Sequence, residues 1–214
     1  MPKTFGFDSA AAFPTHRRDC GGYGQSIDAA RCWRDSGVPE RHKGKIKLRH
    51  DATGPWGETY RRLCDRLPQG PLIVLLGKRG TGKTQLAACL LADLCRAGGM
   101  VRYLKTMDLF REIRACYRPD GPNEVKTVNQ LCRYAGLVLD EAHERSDSEW
   151  ENRTLSNIVD RRYDAMRTTI LVSNMTKEAF AQAVGPSIVS RIHESGEVVT
   201  CDWASFREHQ RESN

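Results

Sequence analysis

The sequence predicts an α/β fold in which a parallel β-sheet carries helices on both of its faces. Short apolar runs alternate with segments of helical periodicity from about residue 70 onward. Hydrophobic residues make up 39% of the 214 residues and occur in both kinds of segment, which is enough for one substantial core. A glycine-rich turn joins the first apolar run to a helix. In such folds a ligand binds at the carboxyl ends of the strands.

The region before the first strand predicts two helices. A short helix is expected around Ser26–Asp35, and it ends there because Val38 precedes a proline and is pushed out of the helical region. A second helix is expected over Trp56–Arg66, where the Pro-Gln-Gly-Pro turn at residues 68–71 stops it. These helices lead into the region where strands and helices alternate.

The alternating region predicts strands and helices in regular succession. The strands are expected at Leu72–Leu76, Met100–Lys105, Leu137–Leu139, Thr169–Ser173 and Val198–Asp202. The helices are expected at Gln85–Arg96, Met107–Tyr117, Val125–Ala135, Glu149–Ala165, and as two short helices across Lys177–Ile192. Few residues follow the last strand, so we expect no C-terminal helical lid.

The turn after the first strand matches the phosphate-binding pattern G-x-x-x-x-G-K-[ST] in full. Its glycines let the backbone turn its amides around a polyphosphate, and Lys83 adds a positive charge for the β- and γ-phosphates. The Thr84 hydroxyl can ligate Mg²⁺. Glycine-rich turns also occur without a ligand, but here the flanking strand and helix are those that the motif requires. We expect ATP and Mg²⁺ as cofactors, with nucleotide contacts from Gly77, Lys78, Arg79, Gly80, Thr81, Gly82, Lys83, Thr84 and Gln85.

Two further strand ends carry polar residues suited to nucleotide hydrolysis. The third strand leads into Asp140, expected to hold Mg²⁺, and Glu141, expected to orient and polarise the attacking water. Asn174 follows the strand that is expected to lie beside the third strand. There its amide could hold the attacking water or touch the γ-phosphate, or it could cap the next turn. Spacing and charge alone do not separate Arg191 and Arg207 from arginines that only solubilise a surface.

Charge and hydropathy limit the kinds of partner that this chain can have. Residues 1–50 hold ten Lys or Arg and five Asp or Glu, so most of the net charge of +6 precedes the nucleotide region. A basic arm of this kind suits nucleic acid, or is a solvated extension. No apolar stretch reaches the length of a membrane span and the N-terminus lacks a signal-peptide pattern, so we expect a cytoplasmic protein.

The eight cysteines predict no disulfide framework, since there is no Cys-x-x-Cys and no secretory signal. Four fall within predicted helices at spacings typical of small apolar side chains: Cys89, Cys95, Cys116 and Cys132. A zinc site would need the mixed set of His16, Cys20, Cys32 and His42. The middle spacing of that set matches no common zinc pattern, so free thiols are the favoured interpretation.

Four stretches occur in order: GKRGTGKTQLA, LVLDEAHE, a strand ending in Ser-Asn, and SRIHESGEVVTCDWASFR. Together they resemble the AAA+ ATPases of the DnaC/DnaI helicase-loader group and their relatives, the IstB-type transposition helpers. The resemblance runs from about Val38 to Arg207. The last stretch discriminates most, because P-loop kinases and small GTPases have nothing like it.

The resemblance implies an AAA+ ATPase domain over residues 51–214, preceded over residues 1–50 by an arm that docks a partner or DNA. It implies that Arg191 is an arginine finger reaching into a neighbouring subunit's site, which works only when subunits are aligned. It also places Arg207 where the family has a nucleotide-sensing arginine. Arg162 and Tyr163 match a further family pattern, to which we assign no role.

The function that the resemblance implies is ATP-dependent loading of a hexameric replicative helicase of the DnaB type. ATP-bound subunits would assemble into a spiral or ring, bind single-stranded DNA and separate from the helicase on hydrolysis, with no membrane involved. An IstB-like helper of a transposase, acting on duplex DNA, would carry the same motifs. The paired carboxylates argue against an ATP-switched adaptor without catalysis, and a small-molecule kinase leaves the Arg191–Arg207 segment unexplained.

Overall fold

The computed structural model describes residues 28–46, 52–146 and 148–206. Three helices precede the sheet: α1 (Ala29–Arg34), α2 (Glu40–Lys43) and α3 (Gly54–Arg66). The strands are β1 (Leu72–Leu76), β2 (Val101–Lys105), β3 (Gly136–Asp140), β4 (Thr168–Val172) and β5 (Glu197–Thr200). The helices among them are α4 (Lys83–Arg96), α5 (Thr106–Ala115), α6 (Glu124–Arg133), α7 (Glu149–Asp164) and α8 (Lys177–Ser195).

The five strands form one parallel sheet in the order β2-β3-β4-β1-β5. The predicted fold class is confirmed. All carboxyl ends of a parallel sheet lie at one edge, so the residues after β1, β3 and β4 come together there. The order also places β3 and β4 side by side, as predicted from the two motifs that end them.

The sheet separates two hydrophobic layers, because successive strand residues point to opposite faces. In β1, Ile73 and Leu75 face the layer formed with α3 and α4, whereas Leu72, Val74 and Leu76 face the layer formed with α5 to α8. All five side chains are buried. A strand covered on both faces reads as a continuous apolar run, which is why β1 was recognisable from sequence.

Several element ends differ from the predicted ones. The last strand ends at Thr200 and not at Asp202, although the Cys201 amide still donates to the Leu76 carbonyl at 2.7 Å. Helix α4 begins at Lys83, directly after Gly82 in the left-handed conformation, and so includes the two residues before the helical pattern at Gln85. Cys116 lies one residue beyond α5 and is half-buried, so its predicted place within a helix is wrong.

Helix α8 contains a sharp break near its middle. Gly185 has φ 81° and ψ 170°, and Pro186 follows it without an N–H to continue the helical hydrogen bonds. The two halves correspond to the two short helices predicted across this segment. Phe180 and Val184 before the break and Ile188 after it are all buried, so both halves pack on the same layer.

Arg162, near the end of α7, is completely buried. Its guanidinium donates to the backbone carbonyls of Leu131, Tyr134 and Thr168 and to the Thr169 hydroxyl, at distances of 2.6 to 2.9 Å. Burial lowers the pKa of Arg162. These bonds tie α6, α7 and β4 together. These hydrogen bonds give Arg162, the first residue of the Arg162-Tyr163 pattern, a structural role.

The described part of the N-terminal region packs on the sheet. The Tyr103 amide of β2 donates to the Ser36 carbonyl at 2.7 Å, and Val38 and Ile46 belong to the buried layer under α4. The division of the chain at residues 50 and 51 stays a prediction. Within the described ranges no helix is long and apolar enough to cross a membrane.

Candidate nucleotide-binding site

The glycine-rich turn connects β1 to α4 at the carboxyl edge of the sheet. Gly77 has φ 129°, and a side chain there would place its Cβ 2.4 Å from the Cys201 carbonyl oxygen. Gly82 has φ 81°. Both positions therefore require glycine, for close approach and for backbone conformation. The turn leaves the N-terminus of α4 facing the space that a polyphosphate would occupy.

Lys83 is buried at the base of this turn, with 5% of its surface exposed. Its ammonium donates to the carbonyl oxygens of Gly77 and Lys78, both at 2.7 Å. The Thr81 hydroxyl donates to the same Lys78 carbonyl at 3.1 Å. A buried ammonium held within the loop is a ready partner for phosphate oxygens, which accept stronger, charge-assisted hydrogen bonds than carbonyls do.

The Thr84 hydroxyl and the Asp140 carboxylate are brought into direct contact at 2.9 Å, although 56 residues separate them. The Tyr103 hydroxyl donates to the same carboxylate oxygen, and the Glu141 amide donates to the other at 2.8 Å. Burial next to Asp140 raises the pKa of Tyr103, so its hydroxyl stays protonated and remains a donor. A hydroxyl and a carboxylate oxygen form a donor set suited to Mg²⁺, a hard cation.

Glu141 follows β3 in an unusual backbone conformation, with φ 56°. For a residue other than glycine this conformation is uncommon and is often found at functional sites. Its carboxylate pairs with the Lys105 ammonium at 2.8 Å. This hydrogen bond raises the pKa of Lys105. Sequence reasoning missed Lys105, because its only signal is its place at the end of β2, one strand from β3.

Glu141 and Lys105 line a cleft of about 630 Å³ at the same edge of the sheet, together with Arg111 and Glu144. The cleft has charged groups of both signs and lies open to solvent. It provides room for water next to the Glu141 carboxylate. A carboxylate in such a place can orient a water molecule and accept its proton.

Asn174 lies two residues after β4 and is half-buried. The preceding residue, Ser173, is buried and its hydroxyl lies 3.3 Å from the His143 ring nitrogen Nδ1. The Ala142 amide donates to the Val172 carbonyl at 2.9 Å, which joins the segments after β3 and β4. The strand that Asn174 follows lies beside β3, as predicted. The role of Asn174 as a sensor stays a prediction.

Gln85, one residue after Thr84, connects α4 to α2. Its side-chain oxygen lies 2.9 Å from the His42 ring nitrogen Nδ1, and its side-chain amide donates to the His42 carbonyl at 3.2 Å. Arg41 donates to the other His42 ring nitrogen at 3.1 Å. Burial lowers the pKa of His42, which favours the neutral ring that these contacts need. The N-terminal region thus reaches the nucleotide end of the sheet, a link that sequence reasoning did not find.

Arg191 lies on α8, where its guanidinium contacts α7. Its Nε donates to Asp160 at 3.2 Å, a terminal nitrogen donates to Glu194 at 3.3 Å, and the group lies 4.7 Å from the centre of the Tyr163 ring. A third of the side chain is exposed. Among the described residues, no hydrogen bond or ion pair joins it to the phosphate-binding turn.

Arg79 and Arg207 are also predicted to contact the nucleotide. Arg79 is exposed in the phosphate-binding turn, 4.0 Å from the Glu144 carboxylate. Arg207 lies outside the described residues.

Of the four residues considered for a zinc site, only Cys32 and His42 lie within the described residues. Cys32 donates to the Gly99 carbonyl at 3.6 Å, and His42 is engaged by Gln85, whereas His16 and Cys20 lie outside the described residues. Across residues 28–46, 52–146 and 148–206 no cluster of three or more potential metal ligands is present.

A family model described as IstB-like ATP binding protein matches residues 64–214. Among individual proteins, the replicative helicase loader DnaC of Escherichia coli K12 is 29% identical over 135 residues. That match covers 63% of this chain and 55% of DnaC, so the chain spans about half the length of this curated relative.

Solved structures share the fold. A crystal structure of the DnaC helicase loader superposes with a TM-score of 0.64 at 22% identity, covering 76% of this chain and 99% of that one. AMPPCP-bound DnaA from Aquifex aeolicus superposes with a TM-score of 0.62 at 20% identity, covering 76% and 53%. At these identities the likeness concerns the fold alone.

Proposed function

The chain belongs to the family of IstB-like ATP-binding proteins, and we propose that it is an ATP-dependent loader of a hexameric replicative DNA helicase. The loader role is supported by the similarity to DnaC, whose name states that function. The observation that carries the ATP-dependent part is the contact of Thr84 with Asp140 beside the buried Lys83. It joins a hydroxyl, a carboxylate and an ammonium, the groups that a magnesium nucleotide needs.

In this proposal each site residue has a distinct task. Lys83 and the backbone amides of residues 77–85 bind the phosphates, and Thr84 with Asp140 would hold Mg²⁺. When bound, the metal would neutralise charge on the phosphate oxygens. Glu141 orients the attacking water and accepts its proton, and Asn174 positions that water.

Arg191 of one subunit would act on the nucleotide of its neighbour. Its exposed position on α8 supports this, because a group held on the surface is available to a second copy of the chain. Arg207 would contribute to nucleotide sensing. Hydrolysis then depends on assembly into a spiral or ring that binds single-stranded DNA in the cytoplasm.

The trans arrangement is tested by mixing two variants. Arg191→Ala should bind ATP but turn it over about 10³-fold more slowly, since this is the contribution of an arginine finger. Lys83→Ala should lose ATP binding. A mixture of the two should regain part of the activity, because Lys83→Ala subunits can supply Arg191 to neighbours that bind ATP.

The matched control is Arg153→Ala, which removes an exposed arginine of α7 that pairs with Glu149, and it should hydrolyse ATP as the wild type does. Full turnover in Arg191→Ala would exclude the finger. Two inactive variants that stay inactive when mixed would exclude action between subunits.

A second candidate is an ATPase that helps a transposase on duplex DNA, and the match to the IstB-like ATP-binding family is compatible with it. Turnover measured with single-stranded and with duplex oligonucleotides separates the two. The loader predicts stimulation mainly by single strands, and the transposition helper predicts stimulation by duplex. An adaptor without catalysis predicts ATP binding with no turnover under either condition.

A further inference from the structure

The outer side of the phosphate-binding turn is held by groups from the end of the described chain. The Trp203 indole N–H donates to the Thr81 carbonyl at 2.7 Å. The Phe206 backbone N–H donates to the Gly80 carbonyl at 3.1 Å. Two successive carbonyls of the turn therefore accept hydrogen bonds from residues that lie more than a hundred positions away in sequence.

Trp56, at the start of α3, provides a third contact on this side. Its indole N–H donates to the Gly82 carbonyl at 3.3 Å. That carbonyl also accepts the Leu86 amide at 2.8 Å, as the first turn of α4 requires. The Trp56 contact is thus longer and is shared, so Trp203 is the stronger of the two indole donors.

These contacts fix the direction of two backbone amides in the phosphate-binding turn. In a planar trans peptide the C=O and the following N–H point in opposite directions. The Thr81 carbonyl shares its peptide with the Gly82 N–H, and the Gly80 carbonyl shares its peptide with the Thr81 N–H. With both carbonyls directed at Trp203 and Phe206, both N–H groups point away from them, toward the opposite side of the turn.

We propose that Trp203, with the backbone of Phe206, positions the amides of Thr81 and Gly82 for phosphate before the nucleotide binds. The inference rests on the ATP-binding part of the proposed function and adds positioning residues to it. An unsupported glycine-rich turn samples many peptide orientations and loses that freedom on binding. Donors that hold the carbonyls remove part of this loss in advance.

The packing of the same segment supports the assignment. A Cβ at Gly82 would lie 3.0 Å from the Phe206 ring and 3.0 Å from the Trp56 indole nitrogen. The aromatic groups therefore contact the backbone of the turn directly. Movement of a peptide plane in the turn would disturb these contacts, so the plane and the aromatic side chains are mechanically coupled.

The test compares Trp203→Phe, which keeps an aromatic ring but removes the N–H donor, with Trp150→Phe. Trp150 is a matched control because its indole also donates one hydrogen bond, to the Tyr117 hydroxyl, on a different part of the surface. Binding of N-methylanthraniloyl-ATP should weaken about two- to tenfold in Trp203→Phe, the factor that one hydrogen bond is worth. Trp150→Phe should bind as the wild type does.

Two further readouts separate positioning from structural support. Binding of adenosine, which has no phosphates, should be equal in wild type and Trp203→Phe. The unfolding temperature without nucleotide should stay close to that of the wild type. Equal losses of affinity for adenosine and ATP analogue would overturn the inference, and so would unchanged affinity for both.

Wild-type protein provides a test in which a variant serves only to assign a signal. The indole N–H signal of Trp203, assigned by its absence from the ¹⁵N spectrum of Trp203→Phe or of a Trp203→Tyr variant, should shift when ATP is added. The Trp150 signal should not shift. A static Trp203 signal in protein that binds ATP refutes the inference alone, whereas wild-type protein that binds no ATP refutes the proposed function.

Discussion

The phosphate-binding end of the sheet and the α7–α8 surface around Arg191 are built in different ways. Lys83 and Asp140 are buried, and Asp140 is held by groups from two other elements, Thr84 and Tyr103. Arg191 is partly exposed, and its partners all lie on α7 and α8. The first region is assembled from α4, β2 and β3, and the second from a single pair of helices.

The difference shows which residues can work inside one chain. Groups that bind a ligand in their own subunit gain from being fixed beforehand, because ordering them later weakens binding. A group that serves a neighbouring subunit has to be on the surface, held by contacts weak enough to exchange. Exposed ion pairs, worth about 0–1 kcal/mol, meet that requirement.

Among the variants that test this difference, the largest effect on ATP turnover is expected from Glu141→Gln. The amide keeps the shape but cannot accept a proton, so ATP turnover should fall about 10²- to 10⁴-fold while ATP affinity is kept. Steady-state hydrolysis and equilibrium binding measure the two quantities. Glu144→Gln, at an exposed carboxylate of the same cleft, is the control and should turn over normally. Normal turnover in Glu141→Gln would mean that this end of the sheet only binds nucleotide.

A smaller effect is expected from Lys105→Ala. The ammonium at 2.8 Å competes with water for the Glu141 carboxylate, so its removal should raise turnover without DNA. Because Lys105 is about half exposed, the gain should be no more than about two- to fivefold. Arg111→Ala, in the same cleft and paired with Asp108, should leave turnover unchanged. A decrease in Lys105→Ala would instead assign Lys105 a direct part in binding or hydrolysis.

The smallest effect is expected from Asp160→Asn. The amide oxygen can still accept from Arg191, and Glu194 keeps its own contact, so turnover should change by less than about fivefold. Titration of protein concentration against turnover would show whether assembly is altered. A loss as large as that of Arg191→Ala would show that Arg191 acts through Asp160 within its own chain, and the comparison would fail.

The sequence predicted the sheet well because its signals are local. Strand β1 is a continuous apolar run before a complete phosphate-binding pattern, and Asp140 ends a second run of the same kind. Two short helices were predicted where α8 lies, and its break falls at Gly185 and Pro186, which act on their own backbone. What a residue does to its own backbone can be read from its neighbours in the chain.

Contacts between distant elements that no sequence motif marks could not be predicted. The Lys105–Glu141 pair depends on β2 and β3 being adjacent, and the Gln85–His42 contact depends on where α2 docks. The sequence pattern at Arg162 had no interpretation, because its four acceptors lie in α6, at the residue directly after α6, and in β4. Pairings of this kind follow from the topology and leave no periodicity in the sequence.

The contacts on the outer side of the phosphate-binding turn have a consequence for the protein's synthesis. Trp203 and Phe206 reach a loop that the ribosome completes more than a hundred residues earlier. Strand β5, which leads to them, is also the last of the five strands to be synthesised. A growing chain therefore carries its entire phosphate-binding motif long before it carries the groups that hold it. If these groups position the amides, a chain that has not yet reached residues 203–206 captures ATP poorly, and tight binding of nucleotide is acquired only once those residues have been synthesised and folded.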